Sequence, residues 1–433
     1  MRTVILTVIV GSLLGGGVGA EDQAPQKTLA ECVQIAIDNH PSLKAADASV
    51  QAGSQRVWEA AAPYLPQVTA VYSATRRQTN LVAAGGTGVV TPVRSSFFNS
   101  GVSLTQVLFD FGQTLESIRA AQESERSLQA DRSTQLNTVV LNLKQSYFNV
   151  LAARRLLAVA DETVRQNQKH LELAEGRFNV GLAAKFDVTQ AQVQLANAEL
   201  NQVTARNNVS VARETLRNAL GLTGPLDFDI VDNFDVHQVT ITESDALATA
   251  YDRRPELQSI LAQQRSVMDQ VASLQRSYFP TVQGQANYNW QSTEYNFDPL
   301  FDVWAVTGGI TWPILSGGLT TAQIGEQKAN LLNLKFNEEV LRQNIALEVR
   351  QDVLNLGQAA ESIRVSEKGL QQARENLELA EGRYSTGVGN IIELTDAQAS
   401  LTTAEANYVQ ALYSYKTAVA AVEKATAQSF TTE

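Results

Sequence analysis

A single cysteine, Cys32, leaves this chain with no internal disulfide to staple it. Its three histidines, His40, His170 and His237, are too few and too scattered for a metal-ligand set, and none stands beside a nucleophile motif. His170 is expected to face solvent on its helix. The clustered Gly85, Gly86 and Gly88 precede no Lys-Ser or Lys-Thr, so no phosphate-cradling loop is present. Enzymatic chemistry, metals and cofactors are therefore not expected. Positive charge is also short: 34 Lys and Arg against 45 Asp and Glu give a net −11, which argues against a nucleic-acid partner. Past the N-terminus no apolar run reaches the roughly 20 residues of a membrane helix.

What is present begins with Arg2, the apolar stretch VILTVIVGSLL and Val18-Gly19-Ala20, the pattern of a secretory signal peptide over residues 1–20. Its removal would take Arg2 as well and leave −12. Cys32 then lies twelve residues past the cleavage point, not at the new N-terminus where a lipid anchor would need it.

The rest is written twice. LELAEGR occurs at Leu171–Arg177 and again at Leu377–Arg383, an offset of 206. TLAECVQIAIDNHPSL from Thr28 matches TESDALATAYDRRPEL from Thr242 at an offset of 214, and the same offset pairs Tyr64-Leu65-Pro66 with Tyr278-Phe279-Pro280. The eight residues by which the offsets differ are expected in the loop LVAAGGTGVVTPV of the first copy. Two repeats, 21–225 and 226–433, are expected.

Each repeat changes its hydrophobic period along its length. Val282, Gly284, Ala286, Tyr288 and Trp290 alternate with Thr281, Gln283, Gln285, Asn287 and Asn289, a strand with one apolar and one uncharged polar face. Trp304, Val306, Ile310, Trp312 and Ile314 continue the pattern after the turn-rich STEYNFDP. The first repeat offers Val68, Ala70, Tyr72 and Ala74, then Phe98, Val102, Leu104 and Leu108. Each repeat thus holds one β-hairpin. Gln113 to Glu175 then has neither glycine nor proline and is rich in good helix formers, predicting one helix approaching about 100 Å. Helix resumes over Val188–Leu220, and the second repeat has the same pair from about Thr320 to Arg383 and from Glu393 to about Ala425. Helical hairpins follow, with tips at Gly176–Phe186 and Gly382–Ile392.

Helical pattern alone fits a solvated coiled-coil rod, and a passive trimeric structural or adhesive surface protein is the alternative reading. The strands favour a transmembrane β-barrel, whose outer face meets lipid and whose inner face meets water. Four strands cannot close one, and an open edge in lipid leaves backbone groups unsatisfied, so several chains must share it.

The order of short helices, strand hairpin and long helical hairpin, with PYLPQV before the first strand, LTQVLFDFG ending the second and GRFNVGLAAKFDVTQAQ at the helical tip, resembles the TolC family of outer-membrane efflux proteins. The resemblance spans nearly the whole chain after residue 20. It implies a mainly α fold with a small β part: duplicated helical hairpins form an α-barrel tunnel in a homotrimer, joined to a shared 12-stranded barrel in the outer-membrane lipid. It further implies a periplasmic adaptor and an inner-membrane transporter as partners, and export of drugs or proteins as the function. The Asp-rich LDFDIVDNFD would sit in an equatorial belt outside the tunnel. The tips that would dock the adaptor carry Gly176, Arg177 and Gly181, and Gly382, Arg383 and Gly387. Glu393 and Asp396 fall where the family has its acidic constriction. Tyr384 and Asp187 match a tip-to-tip latch, although Gly389 replaces a basic residue that helps lock the second tip in close relatives.

Overall fold

The computed structural model describes residues 25–82, 90–232, 239–292 and 299–429, with the side chains of 81, 82, 90 and 91 left aside. The signal-peptide stretch, the three clustered glycines, His237, most of the long first-repeat loop, the middle of STEYNFDP and the end of LDFDIVDNFD lie outside the described residues.

The elements follow one another as β1 (Gln26–Lys27), α1 (Leu29–Asn39), α2 (Pro41–Ala61), β2 (Gln67–Val82), β3 (Val90–Phe109), α3 (Gln113–Asn179) and α4 (Lys185–Ala219). The same order then recurs as β4 (Asp229–Ile230), α5 (Glu243–Arg253), α6 (Pro255–Arg276), β5 (Thr281–Ser292), β6 (Phe301–Thr311), α7 (Leu319–Thr386) and α8 (Ile391–Thr426). Local chemistry repeats with it. Thr28 and Thr242 cap α1 and α5, each side chain accepting from the backbone N–H three residues on, and Glu31 completes a capping box. His40 and Arg254 hold extended backbone before Pro41 and Pro255, where proline suits the first helical turn.

The four long strands form one antiparallel sheet in the order β2-β3-β5-β6. Its register carries Val68, Leu104, Ala286 and Val306 across all four strands in one row, and Ala70, Val102, Tyr288 and Trp304 in the next. Thr69, Ser103, Asn287 and Ala305 make an intervening row on the other face. One face is therefore apolar and uncovered within the chain: Val306 is 75% and Ile310 74% exposed. The other face is mainly polar. β2 and β6 are the edges, and the backbone groups on their outer sides have no partner strand among the described residues. The β1–β4 pair, which the sequence did not reveal, is parallel and ties the two repeats together.

α3 has 67 residues and α7 has 68, and each doubles back through a four- or five-residue tip into α4 or α8. Such helices need tertiary partners. Around the middle of α3, Leu143, Val150 and Leu151 pack with Leu216 of α4 and Leu220 just past its end, Cys32 and Ala36 of α1 and Leu412 of α8. Full burial of each large side chain stabilises by about 1.5–3 kcal/mol. Burial raises the Cys32 thiol to about 11, so it acts as a small core hydrophobe. The second repeat builds its counterpart from Ile345, Val349, Ala246, Ala250 and Leu257.

The surroundings of these two cores differ in charge. Arg254, 2% exposed, donates to Glu348 at 2.6 Å, and Lys424 donates to the other oxygen of Glu348 at 2.6 Å. Asp352 lies one turn further along α7. At the matching positions of the first repeat stand His40, Asn142, Asn218 and Ser146. Burial opposes ionisation of Glu348, but the bonds from Lys424 and the charge of Arg254 hold it below the usual carboxylate range. Burial and the neighbouring Glu348 raise Asp352 to about 6. A raised carboxyl contributes stability that is fully present below its unfolded value near 3.8 and lost as pH rises through about 6. Asp352→Asn should therefore stabilise the helices at pH 8, on the order of 1–2 kcal/mol for a half-buried group, and by progressively less toward pH 4. Thermal melts followed by circular dichroism would read this, and equal effects at pH 8 and pH 4 would contradict it.

Candidate functional site

The site is the end of the two helical hairpins. α3 and α7 finish in the same turn: Gly181 N–H donates to the Phe178 carbonyl and Leu182 N–H to that of Arg177, as Gly387 N–H donates to Tyr384 and Val388 N–H to Arg383. Gly181 and Gly387 take φ of +78° and +82°, a left-handed conformation that a side chain would strain. Gly176 and Gly382 differ from the expectation that they form part of the reversal. Both are ordinary helical positions in the last turns of α3 and α7 with open space around them, so the chain turns on the second glycine of each string.

Between the hairpins the decisive side chain is Tyr384, 1% exposed. It packs with Leu377, Ile391 and Leu394 of its own hairpin. Its hydroxyl reaches Asp187 Oδ2 of the other hairpin at 3.4 Å, a long hydrogen bond. Burial, then the charge of Asp187, raises the phenol above its ordinary value, so it stays a protonated donor at neutral pH. Asp187 sits in the first turn of α4 but does not cap it, because Ala184 holds the cap position. Phe178, the first-repeat counterpart of Tyr384, is 40% exposed.

Arg177, which the family resemblance places at the docking tip, folds inward. Its guanidinium donates from Nη1 to the Tyr384 carbonyl and lies 4.8 Å above the Tyr384 ring. It also caps the end of α7, where carbonyls and the helix dipole favour a cation. Arg383, at the equivalent place, instead pairs with Glu393 of its own hairpin at 2.9 Å. Asn390 caps α8 by accepting from Glu393 N–H at 2.9 Å. Of the two constriction candidates, Glu393 is thus half-buried and ion-paired, while Asp396, one turn on, is exposed.

Higher on the same helices His170 overturns the solvent-facing expectation. It is 5% exposed, with Nε2 3.3 Å from Glu381 Oε1 across the hairpins. At the other end of α3, Asp110 accepts from Tyr64 Oη at 2.7 Å, Gly112 N–H at 3.0 Å and Thr114 N–H at 2.8 Å, bracing the passage from strand to helix. The motif LTQVLFDFG contained this aspartate, while its partner Tyr64 is 46 residues away and was not legible as such.

The outer membrane efflux protein family matches this chain over residues 32–222 and 246–428. The chain belongs to that family. Outer membrane protein TolC of Escherichia coli (strain K12) is 26% identical over 432 residues, covering 95% of this chain and 84% of that protein. Outer membrane efflux protein BepC of Brucella suis is 23% identical over 405 residues, covering 93% and 86%. The crystal structure of the Campylobacter jejuni CmeC outer membrane channel shares the fold, with a TM-score of 0.79 at 20% identity over 92% of this chain and 85% of that one. This efflux-family member is accordingly an outer-membrane channel protein whose long helices form its periplasmic extension, and the sheet is its membrane part.

Close packing at the tip gives a test. A Cβ on Gly387 would stand 3.3 Å from Arg177 Nη2, whereas one on Gly181 would meet nothing within 4 Å. Alanine carries the same left-handed strain at both, about 1 kcal/mol, so Gly387→Ala should loosen the tip more than Gly181→Ala. Hydrogen exchange of the Val388 and Leu182 amides would compare them, and equal loss of protection would contradict the crowding.

Proposed function

We propose that the chain works as a homotrimer forming one exit duct, in which two repeats, 21–225 and 226–433, each supply one strand hairpin and one helical hairpin. The observation that carries this reading is the four-stranded sheet with one apolar face and two open edges, which lipid tolerates only when a barrel closes. Three chains give twelve strands, enough to leave a lumen, whereas eight would be filled by side chains. The duct performs no chemistry of its own. An inner-membrane transporter and a periplasmic adaptor deliver small toxic molecules or proteins to the tips, and Gly181 and Gly387, with Gly176, Gly382 and Arg383 beside them, form the surface the adaptor meets, while Arg177, turned toward Tyr384, braces it from behind.

At rest the mouth is held by Tyr384 on Asp187, and the adaptor opens it by separating the hairpins. Gly389 cannot supply a second basic lock, so the latch rests on few bonds. Below it Glu393 and Asp396 ring the passage and favour cations over anions. A passive structural or adhesive trimer, the competing reading, would need no such mouth and would conduct nothing.

Detergent-extracted protein should sediment as three chains and conduct in planar bilayers; a water-soluble monomer would refute the duct. Because Arg383 offsets Glu393 in part, Asp396→Ala should reduce cation selectivity more than Glu393→Ala, and the double substitution should abolish most of it. Unchanged reversal potentials under a salt gradient in all three would remove the ring assignment. Leucine at Gly181 or Gly387 should lower drug efflux while trimers still assemble.

A further inference from the structure

The two hairpin tips share their backbone but not the partners of their arginines. Arg383 reaches across its own turn to Glu393 at 2.9 Å. Arg177 and Asp187 occupy the corresponding places, 206 residues earlier, in a turn with the same two backbone hydrogen bonds. The equivalent ion pair is therefore within reach, yet it is not made. Asp187 instead accepts from Tyr384, and Arg177 instead donates to the Tyr384 carbonyl and covers its ring. Tyr384 stands between the two members of a pair that the other hairpin makes. Arg177 is also incompletely satisfied there: its Nε is buried without a hydrogen-bond partner.

We propose that Arg177 exchanges partners when the tips separate, leaving the Tyr384 carbonyl and forming an in-hairpin ion pair with Asp187 that matches Arg383–Glu393. This rests on the reading of Tyr384 and Asp187 as the latch, and it adds a positioning residue to it. When Tyr384 withdraws, it would leave a half-buried carboxylate and a half-buried guanidinium unpaired at once, which is costly. Pairing the two with each other removes both penalties in one movement. The two hydrogen bonds of the closed mouth are then replaced by one ion pair, so part of what opening breaks is recovered. The open state is a defined conformation with its own contact, and the energy an adaptor must supply is correspondingly small.

The test uses the intact trimer in planar bilayers and reads the dwell time of the open level. Tyr384→Phe deletes the latch hydroxyl and should increase open occupancy. In that background Asp187 has lost its closed-state donor, so Asp187→Asn should act on the open state alone and shorten its dwell about two- to fivefold, as for a partly exposed ion pair. Asp187→Glu, which keeps the charge, should retain the long dwell. With Arg177→Gln also present, Asp187→Asn should change nothing further, and the swapped pair Arg177→Asp with Asp187→Arg should restore the dwell. If Asp187→Asn leaves the open dwell of Tyr384→Phe unaltered, the exchange is wrong while the latch stands. Wild-type conductance in Tyr384→Phe would remove the latch and the exchange with it.

Discussion

Unpaired backbone on the outer sides of β2 and β6 is the constraint from which the remaining architecture follows. In water such an edge is a liability for aggregation; in hydrocarbon each unsatisfied N–H or C=O costs several kcal/mol. The sheet has committed its exposed valines, tryptophans and isoleucines to lipid, so its edges must find strands of other chains. Closing the sheet brings the helical hairpins that hang from it into a ring. The helices in turn acquire partners on the sides that a single chain leaves bare, as at Leu347, 55% exposed, and Leu354, 72% exposed.

Duplication supplied two similar hairpins, and divergence since then has been concentrated in polar contacts. The buried apolar positions correspond closely, with Leu43 matching Leu257 and Val139 matching Ile345. Around them Arg254, Glu348, Asp352 and Lys424 have no charged counterparts in the first repeat. At the tip, Tyr384 faces inward where Phe178 is partly exposed. A packed core tolerates little change in volume, whereas a hydrogen bond can be redirected by one atom. The structural asymmetry of the two hairpins is accordingly written in hydroxyls and charges over a common apolar frame.

This division also explains what could be read from the sequence. Period-two alternation exposed the strands, and the absence of glycine and proline from Gln113 to Glu175 exposed α3, because both signals are local. Register between β3 and β5 was not local, and neither was the β1–β4 pair of two residues on each side, too short to show any period. The burial of His170 and the inward turn of Arg177 are not local either. Both side chains reach partners on α7, some 200 residues away, and helical spacing cannot tell which face another hairpin will cover. The tip glycines were legible as a group, but only backbone angles separate Gly181 and Gly387, which turn the chain, from Gly176 and Gly382, which do not.

The near equality of α3 and α7, 67 and 68 residues, works as a pair of matched rulers. Each helix starts at the sheet and measures out the depth at which its hairpin turns back. Seven residues added to one of them alone would carry its tip about 10 Å past the other. The flush surface would become a step, and Tyr384 would no longer stand level with Asp187. Insertions and deletions in the long helices are consequently coupled: a lineage can lengthen or shorten its duct only by changing both repeats together, and by the same number of turns.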